Sequence, residues 1–194
     1  WMIAIGAGLA CGGFCIQFGC DWTAFFYASI AAILGNRLRM FLNHSGSNLY
    51  ANFAVAAFVS TILAWLSSFL STPTVQAALP EFLRPILFTE TPWHPLLACA
   101  LYIVPGAPLI NAVNDLLDRA TNTLLIVTAM SFGIMLAIKC GSFDGFAKDL
   151  PTIPHHPFYV YAIAAAISAM GFATIYNIPY RLMPWIALGG VICV

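Results

Sequence analysis

Pro105, Gly106, Ala107, Pro108, Asn111 and Asp115 stand close together inside an apolar stretch of the chain. Proline has no N–H and crowds the turn before it. Pro105-Gly106-Ala107-Pro108 is therefore expected to interrupt a helix between Val104 and Leu109. At membrane depth an open backbone is tolerated only where protein covers it or water fills a cavity beside it. Pro108 suits the first turn of a restarted helix. Asn111, Asp115 and Asp118 then fall at i, i+4 and i+7, on one face. A helix start aims free N–H groups and positive potential at an anion.

This is the chemistry of a solute site. Free N–H groups around Ala107 to Ile110 are expected to hold a carboxylate, and Asn111 to exchange hydrogen bonds with the polar end. Asp115 either pairs with a substrate ammonium or carries a coupling proton. The second role needs a carboxyl that keeps its proton near neutral pH, which a low-dielectric site favours. Two plainer readings stand beside this one. The helix is simply kinked, with Asp115 and Asp118 at the water interface. Or Asp115 pairs with Arg119, four residues on, a contact worth a few tenths of a kcal/mol if exposed.

The elements that must position these residues are membrane spans. The chain has 194 residues, 61% of them hydrophobic and only 7% charged, with mean hydropathy +0.90. Soluble domains carry about 25% charged residues. The fold class expected is an all-α integral membrane protein, because the apolar runs are about 20 residues long. Formal net charge is zero, and no basic tract invites nucleic acid. Six cysteines form no CxxC pair. Cys11 and Cys15 read as packing residues rather than metal ligands, and no metal or cofactor is expected. His155-His156 alone is a weak metal signal. Both ends of the chain read as cut, as expected for a piece of a longer polypeptide.

The spans are expected at about 1–19, 22–42, 51–70, 94–117, 120–140 and 158–177, with a seventh beginning near Leu182. This is a helical bundle of about five complete spans plus the start of another unit, with one Pro-Gly-broken helix. Three regions follow: 1–140, a connecting loop at 141–157, and 158–194. Arg37 and Arg39 can snorkel from the end of the second span. Residues 71–93 read as a proline-rich loop with a short interfacial helix around 75–88. Arg37, Arg39, Arg119 and Arg181 against Arg84, Lys139 and Lys148 weakly place His44 in the cytoplasm and Pro80 outside. Gly13-Phe14 followed by Phe18-Gly19 resembles Gly171-Phe172 followed by Tyr176-Asn177. The copies are separated by an odd number of spans, so the second repeat is expected to be inverted.

The sequence Pro105-Gly106-x-Pro108-Leu109-x-Asn111-x-x-x-Asp115-Leu116-Leu117 resembles the motif of the threonine/serine exporter family, in its first membrane half. The segment from Ala169 to Trp185, with Asn177-Ile178-Pro179-Tyr180-Arg181 at its centre, is similar to the opening of that family's second half. The resemblance covers about 1–140 and 158–194. It implies a multi-pass inner-membrane protein and no enzyme: a secondary exporter of small amino acids or related carboxylates, ion- or proton-coupled. Pro105, Gly106, Ala107, Pro108, Asn111 and Asp115 would form the substrate site, supported by Arg119, Asn177 and Arg181. In bacteria the halves occur fused or as two small partner proteins. The two-protein version is associated with dicarboxylates such as succinate, so a second-half subunit or a homo-oligomer is an expected partner. The alternatives are a non-transporting partner subunit, a passive pore, or an intramembrane enzyme using Asp115, Asp118 and His94.

Overall fold

The structure, a computed structural model, describes residues 1–46, 48–103, 118–141 and 156–193. Its described residues are helical and contain no strand. Three helices or helical stretches, Leu49–Ser71, Thr121–Gly141 and Phe158–Ile175, are long and apolar enough to cross a membrane. The elements are α1 (Met2–Gln17), α2 (Trp22–His44), α3 (Leu49–Ser68), α4 (Pro73–Ala78), α5 (Arg84–Leu87), α6 (Pro95–Ala98), α7 (Asp118–Gly141), α8 (Phe158–Ile175) and α9 (Met183–Ile192).

Local signals set the helix ends. Gly19 takes φ 85° just past α1, a left-handed position that costs glycine nothing. There its N–H reaches Ile16 O at 2.8 Å, and the Cys20 N–H reaches Cys15 O at 3.2 Å. This pair of bonds is a Schellman cap. α8 ends the same way: Asn177 takes φ 55°, its N–H reaches Thr174 O at 3.2 Å, and the Ile178 N–H reaches Ala173 O at 3.0 Å. Asn48 caps α3 by accepting from Tyr50 N at 2.9 Å and Ala51 N at 3.4 Å.

Asp21 does more than cap α2. Its Oδ1 accepts from Ala24 N at 2.8 Å and from Thr89 Oγ1 at 2.8 Å, and its Oδ2 accepts from Glu90 N at 2.9 Å. Thr23 donates to Ile86 O and Tyr27 to Leu87 O. The proline-rich loop is thereby fastened to the start of α2. Asp21→Ala is expected to lose about 1 kcal/mol for the cap and about 1 kcal/mol for each loop bond. Asp21→Asn, which keeps the Oδ1 acceptor, should lose less. Melting temperature, with proteolysis of the 79–90 region, checks this.

The single interfacial helix expected at 75–88 is instead two, α4 and α5. Leu79 precedes Pro80 and is extended, at φ −81°, ψ 146°. That is the conformation proline imposes on the residue before it. Pro73 and Pro85 each sit in the first two positions of a new short helix. The fourth apolar stretch also departs from regular helix early. After α6 the backbone tightens into a 3₁₀ turn at Leu101–Ile103, with the Ala100 N–H bonded to Leu97 O and the Ile103 N–H to Ala100 O. The break expected between Val104 and Leu109 lies outside the described residues.

Helices meet through small residues, as in lipid, where close backbone approach replaces hydrophobic burial as the main attraction. α1 packs antiparallel on α8. A Cβ at Gly13 would stand 2.6 Å from Ala164 O and 2.7 Å from Ser168 Cβ; one at Gly171 would stand 2.5 Å from Ala10 N and 2.6 Å from Gly6 O. Between them Ser168 Oγ donates to Ala10 O at 3.1 Å. Gly190 of α9 likewise lies against Ala165 and Ala169 of α8, while Ala7, Cys11 and Ala32 share one core cluster of the α1–α2 hairpin. The outer faces are apolar: Phe26, Ile30 and Leu34 stand at i, i+4 and i+8 on α2, each about half exposed or more. Such a surface suits lipid, not water.

Candidate functional site

A polar cluster occupies the end of the bundle that holds His44 and the starts of α1, α3 and α7. Gly35, Asn36 and Arg39 of α2, Phe53 and Ser60 of α3, and Tyr102 after α6 build it. Ser60 Oγ and Tyr102 Oη share a hydrogen bond of 3.1 Å, both groups buried. Gly35 permits this, because a Cβ there would overlap Ser60 Oγ and stand 2.7 Å from Tyr102 Oη. Asn36 is fully buried; its Nδ2 donates to Ile3 O at a long 3.5 Å, and its Oδ1 has no partner among the described residues.

Arg39 turns into the bundle. Its guanidinium carbon lies 5.5 Å from the ring centroids of both Phe53 and Tyr102, within reach of cation–π attraction. Its Nε is buried and has no hydrogen-bond acceptor among the described residues. Arg39 stays partly exposed, like Arg37, while its Nε and the face of its guanidinium turn toward the bundle. Successive helical residues turn by about 100°, so residues two apart point to nearly opposite sides. Arg37 goes outward and lies over the Trp1 ring at 4.4 Å, which leaves Arg39 facing in. That i, i+2 spacing was the available signal.

Toward the end of the same helix, Asn52 Nδ2 donates to Asn43 Oδ1 at 2.8 Å, and Tyr50 Oη donates to Asn122 Oδ1 at 2.7 Å. The second bond ties the start of α3 to the first turns of α7. Of the residues singled out by sequence, Pro105, Gly106, Ala107, Pro108, Asn111 and Asp115 lie outside the described residues. Tyr102 precedes Pro105 by three positions, so the cluster adjoins that motif along the chain. Arg119 belongs to the first turn of α7. Asn177 is the left-handed residue that ends α8, and it lines an open cleft of about 470 Å³ with Met2, Met40 and Tyr180. Arg181 is exposed in the turn before α9.

The opposite end carries Asp21, the buried Thr89 and Thr91, and a cleft of about 350 Å³ lined by Trp65, Phe88, Glu90 and Trp93. Tryptophans at such a level are the usual interfacial anchors of spans. His156 Nε2 donates to Cys20 O at 2.7 Å, fastening the start of α8 there. Cys11, Cys15, Cys20 and Cys99 are buried and free. His94, considered above as a base, is buried at the head of α6.

These features define a class: a helical membrane protein whose polar groups gather inside an apolar bundle, as transporters arrange them. The family described as "Putative threonine/serine exporter" matches residues 1–141, and the chain belongs to that family. It is similar to "Probable succinate transporter subunit YjjP" of Klebsiella aerogenes, 28% identical over 155 residues, which covers 76% of this chain and 54% of the relative. It is also similar to the Escherichia coli protein of the same name, 30% identical over 141 residues, covering 73% of this chain and 49% of the relative. The chain thus spans about half the length of the curated relatives it matches. No solved structure matches it.

Proposed function

We propose that the full-length protein is a secondary exporter of small amino acids or related carboxylates, ion- or proton-coupled, in the inner membrane. The observation that carries this reading is the Arg39–Tyr102–Ser60 cluster, in which Ser60, Tyr102 and the Nε of Arg39 are buried and whose Tyr102 stands three positions before Pro105 in the chain. A cation and two hydroxyls in an apolar bundle cost free energy unless function uses them. Free N–H groups at 107–110 receive the carboxylate, Asn111 binds the polar end, and Asp115 carries the proton or meets an ammonium. Arg119 is a candidate partner for Asp115. Asn177 and Arg181 support the site through the turn between α8 and α9.

The chain crosses the membrane several times, about five spans in the first half, with His44 cytoplasmic and Pro80 outside. The second half is an inverted repeat of the first. Its support is a constant offset of 158 residues: the caps at Gly19 and Asn177 correspond, and so do both sides of the α1–α8 contact. Gly13 meets Ala164 and Ser168; Gly171 meets their counterparts, Gly6 and Ala10. Such reciprocal contacts are the mark of a two-fold relation. The relatives named as transporter subunits favour a second-half partner, supplied by the same polypeptide or by another chain.

Counterflow in proteoliposomes tests the function. Vesicles holding the full-length protein, with its second half, are preloaded with unlabelled L-threonine or succinate and offered the labelled solute outside. Saturable, substrate-specific accumulation is expected. Linear flux would indicate a passive pore, and binding without flux a non-transporting subunit.

A further inference from the structure

Resting on the exporter reading above, we infer that Arg39 is the cationic anchor of the substrate carboxylate, held in place by Tyr102 and Phe53. A guanidinium presents its N–H donors in a planar fork that matches a carboxylate. Here one of those donors, Nε, is buried with no acceptor among the described residues. A buried donor without an acceptor is unfavourable, and more so when charged. Among the described residues no carboxylate pairs with Arg39; the groups that its guanidinium lies against are the rings of Phe53 and Tyr102. Among the described residues the charge is therefore steadied by aromatic faces and not neutralised, the arrangement expected where an anion arrives from outside the chain. Asn36, one turn earlier on α2, adds a second buried polar atom without a partner. The ligand class is a small carboxylate, and the Ser60–Tyr102 bond fixes the ring against which the guanidinium lies.

The test uses the full-length protein in proteoliposomes, with L-threonine, succinate and L-threoninamide as probes. Arg39→Gln is expected to raise the half-saturating concentration of the transported carboxylate by about tenfold or more. Arg39→Lys keeps the charge but loses the fork, and should recover part of that loss. L-Threoninamide, which has no carboxylate, should compete weakly with wild type and no worse with Arg39→Gln. Saturable wild-type flux with an unchanged half-saturating concentration in Arg39→Gln overturns the anchor and leaves the exporter reading standing. No saturable wild-type flux of either carboxylate overturns the exporter reading and the anchor with it. If Arg39→Gln does not fold, protection in the wild type decides: the transported carboxylate should slow modification of Arg39 by phenylglyoxal, read by peptide mapping. Absence of protection overturns the anchor. So does recovery of folded Arg39→Gln by Asp115→Asn, which would make Arg39 half of an internal ion pair.

Discussion

Asp115→Asn in the full-length protein is expected to abolish pH-dependent export while leaving the amount of folded protein near normal. The substitution keeps the shape of the side chain and removes its charge and its proton. Asp115 follows Pro105-Gly106 in the sequence and stands four positions after Asn111, in a chain with few charges. A carboxylate kept there only for structure needs a partner, and breaking a buried pair costs about 3–5 kcal/mol. A transport carboxylate is different: its neutral isostere still packs, and only the coupled step is lost. Export and pH profile are measured beside the yield of monodisperse protein. Asn111→Ala should weaken substrate affinity more than it changes the pH profile, and Asp118→Asn should do little. Wild-type export with an unchanged pH profile in Asp115→Asn would remove Asp115 from the mechanism. Loss of folded protein would favour pairing with Arg119.

Gly171→Val is expected to prevent stable folding. The added Cβ would meet Ala10 N at 2.5 Å, Gly6 O at 2.6 Å and Ala10 Cα at 2.9 Å. These are backbone atoms of α1, and no rotamer change moves them aside. The two helices would have to part. That separation also strains the Ser168–Ala10 bond and the edge-on contact of Phe14 with Phe172, whose centroids lie 5.5 Å apart. Overpacking costs about 1–3 kcal/mol and occasionally more; a backbone-on-backbone clash belongs at the upper end. Gly13→Val, the reciprocal change, should behave alike, because it meets Ala164 O at 2.6 Å. Gly189→Ala is the control: nothing lies within 4 Å of a Cβ there, and alanine favours a helix over glycine by about 1 kcal/mol. Thermal unfolding in detergent, followed by size-exclusion chromatography, separates the cases. A Gly171→Val protein that melts with wild type would show that α1 and α8 do not pack as described.

Helix type and most helix ends were legible in the sequence because their causes are local. Gly19 and Asn177 end helices through their own φ, Asp21 and Asn48 cap through their own side chains, and the apolar runs set span length. The residues that motivated a solute site, Pro105 through Asp115, were found by residue type, spacing and resemblance to a family motif, and their arrangement lies outside the described residues. The split of 75–88 into two helices was readable in principle, since Pro80 constrains Leu79, but a short amphiphilic run masked it. Which helices pack together was decided only in three dimensions. α1 and α8 are apolar on every side, so no stripe marks the face that turns inward. Arg39 shows the same limit. Its charge and place near the end of a span are local, but the rings of Phe53 and Tyr102 that its guanidinium lies against come from elements distant in sequence.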